Sequence, residues 1–108
     1  MDKRDKFLAD GAIYTIMGDT PISAPHTKQV FRGMVTQMRD SIDGDFIFTY
    51  GEVTAEDDRV CVEAKSFMTT RTGKDYQNEY HIPFKIRGGK VLSIKEYSDT
   101  KHVMDTFF

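Results

Sequence analysis

The spacing of apolar residues changes along the chain. Met1 to Asp10 (MDKRDKFLAD) is mostly charged, with Phe7 and Leu8 as its large apolar residues after Met1. It reads as a short helix or the end of one, with Gly11 as its C-cap. Ala12 to Met17 (AIYTIM) reads as a strand that puts Ala12, Tyr14 and Ile16 on one face and Ile13, Thr15 and Met17 on the other. Gly18 to Thr27 holds one Gly and two Pro and reads as a loop. Phe31, Val35, Met38 and Ile42 then recur at helical spacing, flanked by Val30 and Met34. This predicts a helix over Lys28 to Ser41 with Thr27 as its N-cap. Gly33 lowers the propensity of that helix and is expected to mark close packing.

From Asp45 onward the period is two. Phe46 to Thr54 places Phe46, Phe48 and Tyr50 on one face. Arg59 to Arg71 sets Val60, Val62, Ala64 and Met68 against Cys61, Glu63, Lys65 and Phe67. Tyr76 to Ile86 aligns Tyr80, Ile82, Phe84 and Ile86, and Val91 to Asp99 is the fourth strand of this run. Turns fall at Glu56-Asp57-Asp58, at Thr72 to Asp75 and at Gly88-Gly89, the last a tight hairpin that needs positive φ. Thr100 to Phe108 reads as short helix or coil. Strands in succession after helices make an α+β meander. Pro83 lacks the N–H that a ladder requires, so a bulge or an unpaired edge is expected there.

At 108 residues the chain is long enough for one domain, spanning 1–108, and too short for two. The net charge of −2 comes from interspersed acids and bases with no basic stripe, which argues against nucleic-acid binding. Cys61 is the one cysteine, so no internal disulfide and no multi-cysteine metal site can form. Nothing approaches the length of a membrane span or a signal-peptide core, and the expectation is a cytoplasmic protein. No phosphate-binding Gly-rich loop, HExxH or CxxC spacing occurs, so neither a metal nor a nucleotide cofactor is implied.

The run Arg87-Gly-Gly-Lys-Val-Leu-Ser-Ile-Lys-Glu-Tyr-Ser-Asp99 resembles the closing hairpin of SnoaL-like proteins, a branch of the nuclear-transport-factor-2-like, ketosteroid isomerase-like superfamily. Asn78 to Ile86 resembles the strand before that hairpin, Leu8 to Tyr14 the entry to the first strand, and Gly18 to Ala24 the loop before a helix. The likeness covers nearly the whole chain. It implies an α+β fold: a cone-shaped, cystatin-like roll whose curved antiparallel sheet wraps around helices. It also implies a small hydrophobic molecule as ligand and a homodimer packed through the sheet. The family usually opens with two helices, whereas this chain starts within what would be the second. About thirty residues, several turns of helix, would then be lacking.

Acid–base chemistry on an apolar molecule needs a carboxyl group in a poorly solvated site, where burial raises its pKa toward neutrality. Aligned on the family, the position of an isomerase's catalytic base falls near Ile16, which cannot take a proton. Glu96 shares a strand face with Leu92, Ile94 and Ser98; it points into the cone, or else into solvent beside Lys95. Asp99 is either a second acid at the cone mouth or the cap of the following turn. His81 lies opposite Tyr80 and Ile82 by strict alternation, unless a bulge near Pro83 reverses it. Tyr14 offers a hydroxyl on the face of Ile16 and is otherwise a core aromatic. Glu96, Asp99, His81 and Tyr14 are thus the candidate catalytic groups, with Ile16, Met34, Tyr80 and Ile94 as candidate ligand contacts. Two functions follow: an isomerase, cyclase or hydrolase of a hydrophobic substrate, or a non-catalytic binding or dimerisation module.

Overall fold

The computed structural model describes residues 6–108. Six strands and two helices follow in the order β1 (Leu8–Ile16), β2 (Pro25–Thr27), α1 (Lys28–Asp40), β3 (Ile42–Glu56), β4 (Arg59–Thr70), β5 (Asp75–Arg87), β6 (Lys90–Ser98) and α2 (Thr100–Phe107). They form one sheet in the order β2-β1-β6-β5-β4-β3. The meander from β3 to β6 is antiparallel, as its alternation implies. β1 joins β6 in parallel, so the sheet is mixed rather than wholly antiparallel. The α+β class and the curved sheet stand as the sequence implied.

The N-terminal expectation needs correction. Residues 1–5 of the expected helix lie outside the described residues, and Leu8 to Gly11 are strand rather than helix end. Pairing of Leu8 with Val91 on β6 outweighs the weak helical propensity of this charged stretch. Gly11 therefore caps nothing. Part of the expected loop also pairs: β2 lies along β1 with His26 opposite Tyr14.

α1 starts where its cap predicts, with the Thr27 side chain accepting from the Val30 N–H at 3.2 Å. A β-carbon built at Gly33 would meet nothing within 4 Å, so the residue marks no close packing. Ile42 belongs to β3, not to the helical stripe, and is buried there. Gly44 has φ 85° within a register shift between Asp43 and Ile47, a bulge that suits a glycine. Further shifts fall between Tyr50 and Val53 and between Lys85 and Ile86. Such bulges bend a sheet, and here they bow the meander. Gly88 and Gly89 both have positive φ, as the tight hairpin requires.

Burial along β4 alternates from Glu63 onward, with Ala64, Ser66, Met68 and Thr70 on the inner face. On β5 the inner residues are Tyr76, Asn78, Tyr80 and Ile82. One apolar cluster, Ile42, Met68, Tyr76 and Val103 with Phe46 and Phe107, is closed over by α2. A second, Ala64, Tyr80 and Ile82 with Phe48, Phe84 and Ile94, lies further along the same face. The inner face is not filled throughout. α1 carries no fully buried side chain, and Tyr50 and Val53 remain 57% and 61% exposed. Among the described residues no helix is long and apolar enough to cross a membrane.

Candidate functional site

The position of Glu96 follows from the sheet order. β6 lies between β1 and β5, so its inner-face residues have neighbours on both sides. Ile16 pairs with Glu96 on one flank. On the other, the pairs Tyr80–Ser98 and Phe84–Ile94 set the register that places Ile82 opposite it. Flanked by two isoleucines, the carboxyl is poorly hydrated. Burial raises its pKa from the ordinary 4.5 to about 7, and a hydrogen bond from the Tyr14 hydroxyl partly opposes the rise. Of the two orientations open to Glu96 in the sequence, it takes the inner one.

Tyr14 is held by three elements. Its backbone pairs with Ile94 of β6 and His26 of β2, and its ring stacks on Phe31 of α1 with centroids 3.6 Å apart. The stack fixes the ring so that the hydroxyl reaches Glu96. Beside it is a small apolar cleft of about 60 Å³, lined by Leu8, Ala12, Phe31 and Ile94 and flanked by Lys28 and Arg32. That volume corresponds to about two water molecules at roughly 30 Å³ each. A larger ligand therefore has to lie along the open inner face as well.

The other expected site residues are distributed as follows. Ile16, Tyr80 and Ile94 share the inner face with Glu96. Met34 is half-buried on α1. Asp99 is at the end of β6, where its side chain accepts from the His102 N–H at 3.3 Å and caps α2. His81 does not join the group. The pairs on either side of Pro83, His81–Tyr97 and Phe84–Ile94, keep one register, and the expected bulge comes later, between Lys85 and Ile86. Alternation is therefore not reversed, and His81 is exposed on the outer face opposite Glu63. His26, from the expected loop, is on β2 and bonds to the Ile22 carbonyl at 2.8 Å, so its Nε2 carries the proton.

The sequence did not single out Ser66, Tyr76 and Asn78, which form a buried polar chain with Tyr80. Ser66 and Tyr80 hydroxyls are 2.8 Å apart, those of Tyr80 and Tyr76 3.3 Å, and the Asn78 amide donates to Tyr76 at 2.7 Å. The Asn78 carbonyl oxygen accepts from the backbone N–H groups of Glu79 and Asp99, which fixes the orientation of the amide. Burial holds both tyrosines above the usual phenol range, and the charge of Glu96 adds to this. The available signal was polar residues at core-facing positions of strongly alternating strands.

A wider hollow, about 630 Å³, opens on the outer face among Thr49, Glu63, Lys65, Glu79, His81 and Tyr97. It contains no residue whose carboxyl or imidazole is buried. No group of three or more His, Cys, Asp or Glu is placed to hold a metal ion among the described residues. The smaller inner cleft is bordered by Tyr14, the hydrogen-bond partner of the buried Glu96 carboxyl.

Among known folds, the chain superimposes on an NTF2-like protein from Burkholderia thailandensis with a TM-score of 0.82, at 19% identity over 95% of this chain and 81% of the other. IdmH of Streptomyces antibioticus, described as a candidate polyketide cyclase, gives 0.74 at 16% identity over 93% and 81%. TerC, co-crystallised with polyporic acid, gives 0.77 at 14% identity over 92% and 78%. At these identities the likeness is one of fold. No curated protein matches the chain. The profile of the SnoaL-like domain matches residues 1–94, most of its length, and the chain therefore belongs to the SnoaL-like domain family.

Proposed function

We propose that the inner face binds a small, mostly apolar molecule and that Glu96 exchanges a proton with it, as an isomerase, cyclase or hydrolase of a hydrophobic substrate requires. The observation that carries this reading is the Glu96–Tyr14 pair: a carboxyl whose pKa burial pushes up to about 7, joined to a tyrosine that lines an apolar cleft. A group of that pKa is about half protonated at neutral pH and can act as acid or base. The similarity to IdmH and to TerC with its bound polyporic acid supports a compact aromatic or polyketide-like ligand. The test is a carboxyl NMR titration with and without steroids, terpenes and polyketide-like aromatics. Glu96 should titrate near pH 7 and move when a ligand binds. Titration near 4.5 with no ligand response would remove the reading.

A second reading, a binding or dimerisation module, is favoured by the outer face. Ile47 and Phe67 are cross-strand partners there, 54% and 37% exposed, and Tyr97 and Ile13 are exposed on the same side. Such an apolar face suits a second copy packed sheet to sheet. Light scattering tests it: a dimer that Phe67→Lys splits supports it, and a concentration-independent monomer refutes it.

A further inference from the structure

β5 is longer than the strand that covers its far edge. β6 pairs with it from Lys90 to Ser98, and Tyr80–Ser98 is the last pair at that end. Beyond Tyr80 the place of β6 is taken by α2, held by three consecutive β5 residues. The Tyr76 ring stacks on His102, with centroids 5.0 Å apart and planes 8° from parallel, and meets Phe107 edge-on at 4.9 Å. The Gln77 backbone N–H donates to His102 Nε2 at 3.2 Å. The Asn78 side chain bonds both the N–H and the carbonyl of Asp99, each at 3.1 Å. His102 thus accepts where a neighbouring strand's carbonyl would, and of these hydrogen bonds only its own depends on a titratable acceptor. Val103, the next residue of α2, is buried with Ile42, Met68 and Tyr76, so the docked helix closes that cluster.

We propose that His102 is a pH-sensitive clasp for α2: the neutral ring accepts from Gln77 and holds the helix on β5, and protonation releases that N–H and loosens the helix over its apolar cluster. To accept at Nε2, the neutral ring carries its proton on Nδ1; an imidazolium carries a proton on both nitrogens and accepts nothing. Histidine is the side chain whose ordinary charge change falls between about pH 5 and 8. His102 is also the third residue of α2, where the positive end of the helix disfavours a cation. Its titratable and charged neighbours are Tyr76 of β5, Lys74 of the β4–β5 turn, and Asp99, Lys101 and Asp105 at and along α2. Burial raises the Tyr76 pKa, so that ring brings no charge. Lys74 donates to the Asp105 carbonyl and adds a positive charge on this side. Asp99 is engaged as the cap. The exposed Asp105 is held by Lys101 at 2.8 Å, which keeps its carboxyl below the usual carboxylate range with a smaller contribution from His102. A paired carboxylate in solvent returns little to an imidazolium, so the lost acceptor decides the sign.

The experiment is amide hydrogen exchange of the full chain, read by NMR at pH 8 and pH 5 as protection factors, so that the pH dependence of intrinsic exchange cancels. Gln77 and the α2 amides from Val103 to Phe107 should lose protection by about two- to tenfold in acid, the range of one net hydrogen bond. Amides at the centre of β4 should not lose it, because burial of Glu96 makes the whole fold more stable as pH falls. The nitrogen resonances of His102 at pH 8 should show a bare Nε2 and a protonated Nδ1. His102→Gln supplies an amide oxygen that never protonates, and in that variant α2 should keep its protection at pH 5. A protonated Nε2 at pH 8, or α2 protection in the parent that is the same at both pH values, would overturn the clasp; neither measurement needs the variant to fold. Equal losses in α2 and β4 would assign the acid sensitivity to the whole fold and overturn it too, as would a His102→Gln protein that loses α2 protection as the parent does.

Discussion

Replacing Glu96 by Gln should stabilise the protein at neutral and alkaline pH, although it removes the proposed acid–base group. The carboxyl has a pKa of about 7 when folded, against 4.5 ordinarily. Between those values the folded state binds more protons than the unfolded state, so stability falls as pH rises. The loss begins near pH 4.5, is nearly complete a little above 7 and stays constant beyond. At about 1.4 kcal/mol per pKa unit, the ionised carboxyl costs on the order of 3 kcal/mol. Gln keeps the shape and an oxygen to accept from Tyr14, and it never ionises. The assay is urea denaturation of both proteins from pH 4 to 8.5, with the difference between them plotted so that the remaining carboxylates cancel. The curves should converge at pH 4 and separate to roughly 2–3 kcal/mol at pH 8, or about 10–20 °C in Tm for a domain of this size. A flat difference across that range, or a variant less stable than the parent at pH 8, would refute a buried, uncompensated carboxyl.

Tyr14→Phe keeps the stack on Phe31 but removes the donor that lowers the Glu96 pKa, so the carboxyl resonance should titrate above pH 7 in the variant. Asp99→Ala should destabilise by about 1 kcal/mol through loss of the α2 cap, with Asp99→Asn close to the parent, as urea midpoints would show. Met68→Ala should cost about 2–5 kcal/mol, because Met68 is 1% exposed in the cluster beneath α2 and leaves a cavity there.

What the sequence determined is the part of the molecule whose structure is local. Alternation in β4 and β5 decides which residues share a face, whatever the partners, since side chains on a strand alternate by geometry. The Thr27 cap and the Gly88-Gly89 turn are likewise properties of a few adjacent residues. The grouping of Tyr14 with Ile16, of Tyr80 with Ile82 and of Glu96 with Ile94 rested on this parity, which left open whether the Glu96 face is the inner one.

Contacts between distant segments were decided only in the folded chain. The parallel pairing of β1 with β6 turned a charged, helix-like start into strand and set Ile16 against Glu96, which no local pattern encodes. That placement pushes the carboxyl pKa up to about 7: burial is a property of the surrounding surfaces, not of Glu itself. The position of the β5–β6 bulge left His81 on the outer face, since a single inserted residue decides the face of everything beyond it. The Ser66–Tyr80–Tyr76–Asn78 chain spans two strands and the entry to α2, and it exists only once those elements are brought together.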